Sequence, residues 1–363
     1  MRILLDCRPL QLAGPDDERS RLIFSAAAAL SALGGVEWIV VADQRWRQGL
    51  FPALPGKVVI RRGLPGRIGW RLWYDRMARV AKQEGADRVW LTGGISAGGM
   101  DVPVCLWMPG RADPREGGGR RGYVSLYRSR LKRSLKEATA IICYSERDRS
   151  WLGGIGPEEK EKIWVLRAVA DESIGVITED EKGKIRSDQT QGKEYFLADL
   201  TGCGEEEVVN LLKAFSLFKK RQRTGMLLVL AGRMEAFEGV VERLKSYKYR
   251  QDVSWSGWAR AGAAYAVLLP VEGNSLGTTL LNTWRSGVPV IVAGGGLLEE
   301  MAQGAVLGVA PGDPAALAAQ LMRIYKEEDL RQELIGKGFE RLRVYSRENF
   351  LQVLRVITEI ADC

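Results

Sequence analysis

The sequence contains no histidine. Histidine is the commonest general base near neutral pH and the commonest zinc ligand, so Ser-His-Asp and Cys-His catalysis and histidine-built metal sites are excluded. Long apolar runs are missing as well, and no stretch approaches the roughly 18 residues that a membrane-spanning helix requires. Cysteine is scarce and scattered: Cys7, Cys105, Cys143, Cys203 and Cys363 show no paired spacing. Three of them lie in apolar strand-like runs, where a free thiol behaves as an ordinary small core residue. That pattern predicts a reducing compartment, hence a cytoplasmic protein. The opening Met1–Cys7 meets an acid at Asp6 too early for a signal peptide and reads as a buried strand.

Charge is unevenly spread. Residues 51–150 hold 20 Lys or Arg against 9 Asp or Glu, while the rest of the chain is slightly acidic, so the net charge of +8 is a local property. A local excess of this kind suits an anionic partner, or else forms a solvated basic face. No nucleic-acid-binding motif accompanies it, and nucleic acid is not expected as a partner. A chain of 363 residues with 46% hydrophobic and 27% charged residues has the composition of a globular protein, and its length is enough for two domains.

Apolar, β-rich runs alternate with helical patterns. Strands are expected at Arg2–Cys7, Glu37–Ala42, Lys57–Arg61, Arg88–Thr92, Val102–Trp107, Ala140–Tyr144 and Ile163–Leu166. A second series is expected at Tyr195–Asp199, Met226–Ala231, Asp252–Trp255, Ala266–Leu269, Pro289–Val292 and Ala305–Val309. Strands that are apolar throughout and alternate with helices predict a parallel sheet covered on both faces. The fold class expected is α/β, with two Rossmann-like, doubly wound parallel-sheet domains facing a cleft. The layout is a first domain over 1–171, a polar, aperiodic linker or insert over 172–194 and a second domain over 195–346. A last helix over 347–363 is expected to pack back on the first domain. Gly312-Asp-Pro314 reads as a helix start, with Asp313 as cap and proline at the first helical position.

The most informative stretch is Asn274-Ser-Leu-Gly-Thr-Thr-Leu-Leu-Asn282, followed by Trp284-Arg-Ser-Gly-Val-Pro-Val-Ile291. It reads as a loop, a helix start, a short helix and a buried strand. Gly277 permits close approach, and the N–H groups and hydroxyls of Thr278 and Thr279 suit an anion at a helix N-terminus. The stretch resembles the sugar-nucleotide site of retaining glycosyltransferases of family 4, whose frame is Glu-Gly-Phe-Gly-x-x-x-x-Glu-x-x-x-x-Gly-x-Pro-Val. The spacing matches without a gap. Glu137–Asp148, Lys162–Arg167, Asn210–Phe215, Leu228–Arg233 and Pro311–Leu317 are similar, in order, to further segments of that family.

The resemblance implies a GT-B fold and transfer of sugar from a UDP- or GDP-linked donor, without a cofactor or bound metal. It implies donor binding by Asn274, Ser275, Gly277, Thr278, Thr279 and Asn282, with Glu272 and Arg233 as stand-ins for the family's acid and phosphate cations. The family's frame is altered in several places. Asn274 and Asn282 stand where it has acids. Its Arg-Lys pair falls on Glu205 and Glu206 when counted back without gaps, and its His-Asp pair falls on Met108-Pro109. No catalytic residue is assigned. Glu205–Glu207 also reads simply as the acidic first turn of a helix.

The loop carrying Arg111, Arg115, Arg120 and Arg121 follows a strand and is expected to face an anionic acceptor, lipid-linked or polysaccharide, or a membrane surface. Peripheral attachment to the inner membrane face fits that expectation. Trp70, Trp73 and Tyr74 belong either to such a surface or to the core of their own helix. The alternative to an active transferase is an inactive relative that serves a partner glycosyltransferase.

Overall fold

The computed structural model describes the chain except residues 16, 48, 65, 97, 109–120, 257–260, 272–275 and 360–363. The side chains of 66–68, 70, 71, 121–128 and 359 also lie outside the description. Two compact units result: Met1–Ala168 with Arg347–Cys363, and Val169–Ser346.

The first unit holds a seven-stranded, wholly parallel sheet. Its strands are β1 (Arg2–Asp6), β2 (Glu37–Asp43), β3 (Gly56–Arg61), β4 (Arg88–Leu91), β5 (Val104–Trp107), β6 (Ala140–Cys143) and β7 (Ile163–Val165). The order is β3-β2-β1-β4-β5-β6-β7. The connections carry α1 (Arg8–Ala13), α2 (Glu18–Ala32), α3 (Gly66–Glu84), α4 (Arg121–Glu137) and α5 (Glu146–Ile155). Apolar side chains, the packed Trp38, Trp90 and Trp107 among them, fill both faces of the inner strands, as a sheet covered by helices on both sides requires. One core cluster joins Met77 and Val80 of α3 and Leu131 and Leu135 of α4 to Leu4, Val89, Leu106 and Ile141 of the sheet. Trp73 and Tyr74 are buried there too, so the core alternative holds for both; the side chain of Trp70 is outside the described residues.

The second unit begins with α6 (Glu179–Thr190) and repeats the same winding on six parallel strands. These are β8 (Tyr195–Asp199), β9 (Leu227–Ala231), β10 (Val253–Ser256), β11 (Ala266–Leu269), β12 (Val290–Ala293) and β13 (Leu307–Val309), in the order β10-β9-β8-β11-β12-β13. Its other helices are α7 (Glu205–Gln222), α8 (Glu238–Lys245), α9 (Thr278–Arg285), α10 (Leu297–Ala302), α11 (Pro314–Lys326) and α12 (Glu328–Leu342). Phe196, Phe215 and Phe218 anchor its core with Leu228, Leu268 and Leu321. The last helix, α13 (Arg347–Glu359), belongs to the first unit, where it packs on α2 and receives a bond from the Arg88 guanidinium to the Thr358 carbonyl.

Every expected strand is present to within about two residues. The stretch 172–194 differs from its aperiodic reading, because α6 occupies much of it. The helix opens with a capping box: Glu181 N–H donates to Thr178 Oγ1 at 3.3 Å, and Thr178 N–H donates to Glu181 Oε2 at 2.8 Å. Arg186 Nε then ties α6 to the Ala263 carbonyl at 3.1 Å. Caps and ion pairs hold this helix rather than an apolar stripe, so hydrophobic periodicity carries no sign of it. Among the described residues no helix is long and apolar enough to cross a membrane.

Candidate functional site

In both sheets the strand order reverses beside the first strand, between β1 and β4 and between β8 and β11. Open α/β sheets bind ligands at the carboxyl ends of the strands at such a point. Both first strands end there in an aspartate, Asp6 and Asp199. Each aspartate turns back on the chain in the same way. Arg8 N–H donates to Asp6 Oδ1 at 3.3 Å, and Thr201 N–H donates to Asp199 Oδ1 at 2.9 Å. These are Asx turns, in which a carboxylate caps the N–H two residues on.

In the second unit, α9 opens at the carboxyl side of β11. Gly277 is its N-cap, with φ of 87°. That left-handed conformation costs a residue with a side chain, and a Cβ here would also press on Met301. The first N–H groups of a helix have no partner within it, so Thr278 and Thr279 stand at a suitable anion position. The hydroxyl of Thr279 is already engaged: it donates to Asp199 Oδ2 at 3.2 Å. Thr278 is half-buried. Glu272, Asn274 and Ser275 fall outside the described residues.

Asn282 lies one turn into α9, half-buried. Its Oδ1 accepts from the Asp171 N–H at 2.9 Å, and Arg285 adds bonds to the Ile174 and Glu172 carbonyls at 2.9 and 3.2 Å. This face of α9 therefore fastens the segment that leads into α6. Sequence reasoning had no sign of the role, because Asp171 is far away along the chain. Arg233 follows β9 and is exposed; its carbonyl accepts from the Ala236 N–H at 3.1 Å, and its guanidinium makes no hydrogen bond or ion pair among the described residues.

The acids of α7 have structural work. Glu205 Oε1 accepts from Gly239 N–H at 2.7 Å at the start of α8, and Glu207 Oε2 accepts from Gly204 N–H at 2.9 Å as a capping box. Glu206 is exposed. The acidic first turn is the better account of Glu205 and Glu207.

The polar cluster at β1 of the first unit was not anticipated. Asp6 is fully buried, and Trp73 Nε1 donates to its Oδ1 at 2.9 Å. Arg8, 2% exposed, holds Asp43 Oδ2 at 3.7 Å from Nε and donates from Nη2 to the Leu64 carbonyl at 2.5 Å. Its guanidinium lies 5.0 Å from the Trp73 ring centroid. Burial raises the Asp6 carboxyl to about 7, despite the opposing bonds from Trp73 and Arg8. Burial also acts to raise Asp43, but the Arg45 bonds and the charges of Arg45 and Arg8 outweigh it and hold that carboxyl below the ordinary range. The signal for the cluster was Asp6 at the end of an otherwise apolar strand, with Arg8 two residues on. Met108 is buried. Pro109, Arg111, Arg115 and Arg120 lie outside the described residues, and Arg121 opens α4 with an undescribed side chain. Four of the cysteines are free thiols, Cys7, Cys105 and Cys143 of them buried.

Residues 181–341 match the family model of glycosyl transferases group 1. The whole chain has the fold of GT-B glycosyltransferases. Sucrose-phosphate synthase from Thermosynechococcus elongatus is similar with a TM-score of 0.74 at 14% identity, over 99% of each chain. Anabaena HepE, solved in complex with UDP-glucose, gives 0.72 at 12% identity over 99% of this chain and 98% of that one. WaaG, a glycosyltransferase involved in lipopolysaccharide biosynthesis, gives 0.69 at 15% over 100% and 99%. No curated protein matches by sequence.

Proposed function

We propose that the chain is a glycosyltransferase of the retaining, nucleotide-sugar-dependent kind, with UDP or GDP as the donor's nucleotide. The observation that carries this reading is the start of α9. A left-handed glycine and two threonines meet the carboxyl ends of β8 and β11, inside the segment that matches the family model. The helix N-terminus favours negative charge there, because its N–H dipoles point at the ligand. Arg233 is the exposed cation placed after β9 to reach a phosphate. Thr278 supplies a hydroxyl, and Gly277 the close backbone approach. Glu272, Asn274, Ser275 and Asn282 are the proposed sugar- and ribose-facing groups. An amide can accept one bond and donate another, so asparagine serves hydroxyls more weakly than a carboxylate does.

The layout proposed for this activity is a donor domain over 195–346 and an acceptor-side domain over 1–171. The arginine-rich loop Arg111, Arg115, Arg120 and Arg121 would meet an anionic acceptor, lipid-linked or polymeric. Turnover is expected to be slow, since several charges of the family frame are replaced, and losing one preorganised group commonly costs about 2.7–4 kcal/mol of barrier.

Melting the full chain with UDP, GDP and their glucose conjugates tests the reading. A ligand at about a hundred times its Kd adds about 2.7 kcal/mol of stability. A clear rise in Tm with a nucleotide diphosphate, and slow release of free sugar from its conjugate, is the expected result. A chain that no nucleotide stabilises, and that hydrolyses no conjugate, would sink it.

A further inference from the structure

We infer that Asp199 is a specificity-determining residue of the donor site: its carboxylate stands where α9 would otherwise receive the donor's phosphate, and it disfavours diphosphates. The inference rests on the nucleotide-sugar reading above. Asp199 is the last residue of β8, beside the strand reversal. Both its oxygens are fixed, Oδ1 by the Thr201 N–H at 2.9 Å and Oδ2 by the Thr279 hydroxyl at 3.2 Å. The side chain is half-buried rather than free to swing in solvent. No Lys or Arg forms an ion pair with it among the described residues, so no full positive charge is paired with it there.

The consequence follows from charge. A carboxylate at a helix N-terminus satisfies the same dipole that would attract a phosphate. A diphosphate arriving at α9 must lie beside this like charge, and must compete with it for the Thr279 hydroxyl. An uncharged nucleoside meets no such opposition. Asp199 therefore lowers affinity for diphosphates selectively. Removing its charge should restore that affinity without touching recognition of base or ribose.

The test measures Kd of UDP and of uridine by calorimetry on the full chain and on Asp199→Asn and Asp199→Ala. Asparagine keeps an oxygen for the Thr201 N–H, turns an amide N–H towards the Thr279 hydroxyl oxygen and carries no charge; alanine removes both bonds and frees the Thr279 hydroxyl. Both variants are expected to bind UDP about tenfold or more tightly, with uridine unchanged and with the gain shrinking at high salt. A Glu333→Gln control, which removes one exposed acid of α12, should leave both ligands unchanged. UDP affinity that stays the same in both variants, or uridine that tightens equally, overturns the inference while leaving the nucleotide reading standing. Failure of every form to bind either ligand overturns both.

Discussion

Asp6 and Asp199 hold the same place in their two sheets, but burial gives them different chemistry. Asp199 has donors on both oxygens. Asp6 has Trp73 and the Arg8 N–H on one oxygen, and its buried Oδ2 has no hydrogen-bond partner among the described residues. An unpaired buried oxygen disfavours the charged form, which agrees with a carboxyl raised from 3.8 to about 7. The linkage has a definite sign. A carboxyl raised on folding contributes its full stability below the unfolded value near 3.8 and loses it as pH rises through about 7. The size is on the order of 4 kcal/mol for a shift of this extent. Asp6→Asn keeps the acceptor for Trp73 and cannot ionise. Urea unfolding should show it more stable than the natural chain at pH 8, by a few kcal/mol, with the gap closing towards pH 4. Equal stability of the two at both pH values would show that Asp6 is not strained by burial. Asp6 was legible as an acid ending a strand, whereas its partner Trp73 lies 67 positions away and nothing local pairs them.

Helix starts show how local signals survive into the structure. The Gly312-Asp-Pro314 reading is met by α11, whose Asp313 Oδ1 accepts from the Ala315 and Ala316 N–H groups at 2.9 Å each. Asp17 caps α2 in the same way, taking the Ser20 N–H at 2.9 Å. Asp313→Ala should lower stability by about 1 kcal/mol, within the usual range for a lost N-cap, and Asp313→Ser should recover most of it. Chemical denaturation of the three forms checks the order; no loss in the alanine form would mean that the cap is idle. Glu205 shows the limit of such reading. Its acidic-turn role was visible, but its bond to Gly239 of α8 depends on two helices meeting. A lysine or arginine placed at 205 to restore the family's cation would therefore remove that bond as well as add charge.

At the scale of the whole molecule, two separate cores give two expectations. Val169–Ser346 is continuous in sequence and contains its own phenylalanine-rich cluster. Expressed alone, 169–346 should give a cooperative thermal transition and dispersed amide resonances, as an independent domain does. A fragment with non-cooperative melting would show that its core needs the remainder. The first unit is discontinuous, because α13 brings Phe350, Leu354 and Ile357 into it as buried side chains. Burying each contributes about 1.5–3 kcal/mol. A chain ending at Ser346 should therefore lose several kcal/mol from that unit, seen as an early transition in calorimetry. An unchanged first transition would contradict the role given to α13.

The sequence by itself determined the two series of parallel strands, the helix caps and the frame around Gly277. Apolar runs, caps and glycine turns are local patterns that act within a few residues. Tertiary structure alone decided the rest. It tied α6 to the Ala263 carbonyl, and it gave the Asn282 oxygen to Asp171. It buried Asp6 against Trp73 and set the Asp199 carboxylate on Thr279. Each of these joins groups 67 to 111 positions apart, and only the winding of the sheets brings such groups within hydrogen-bonding distance.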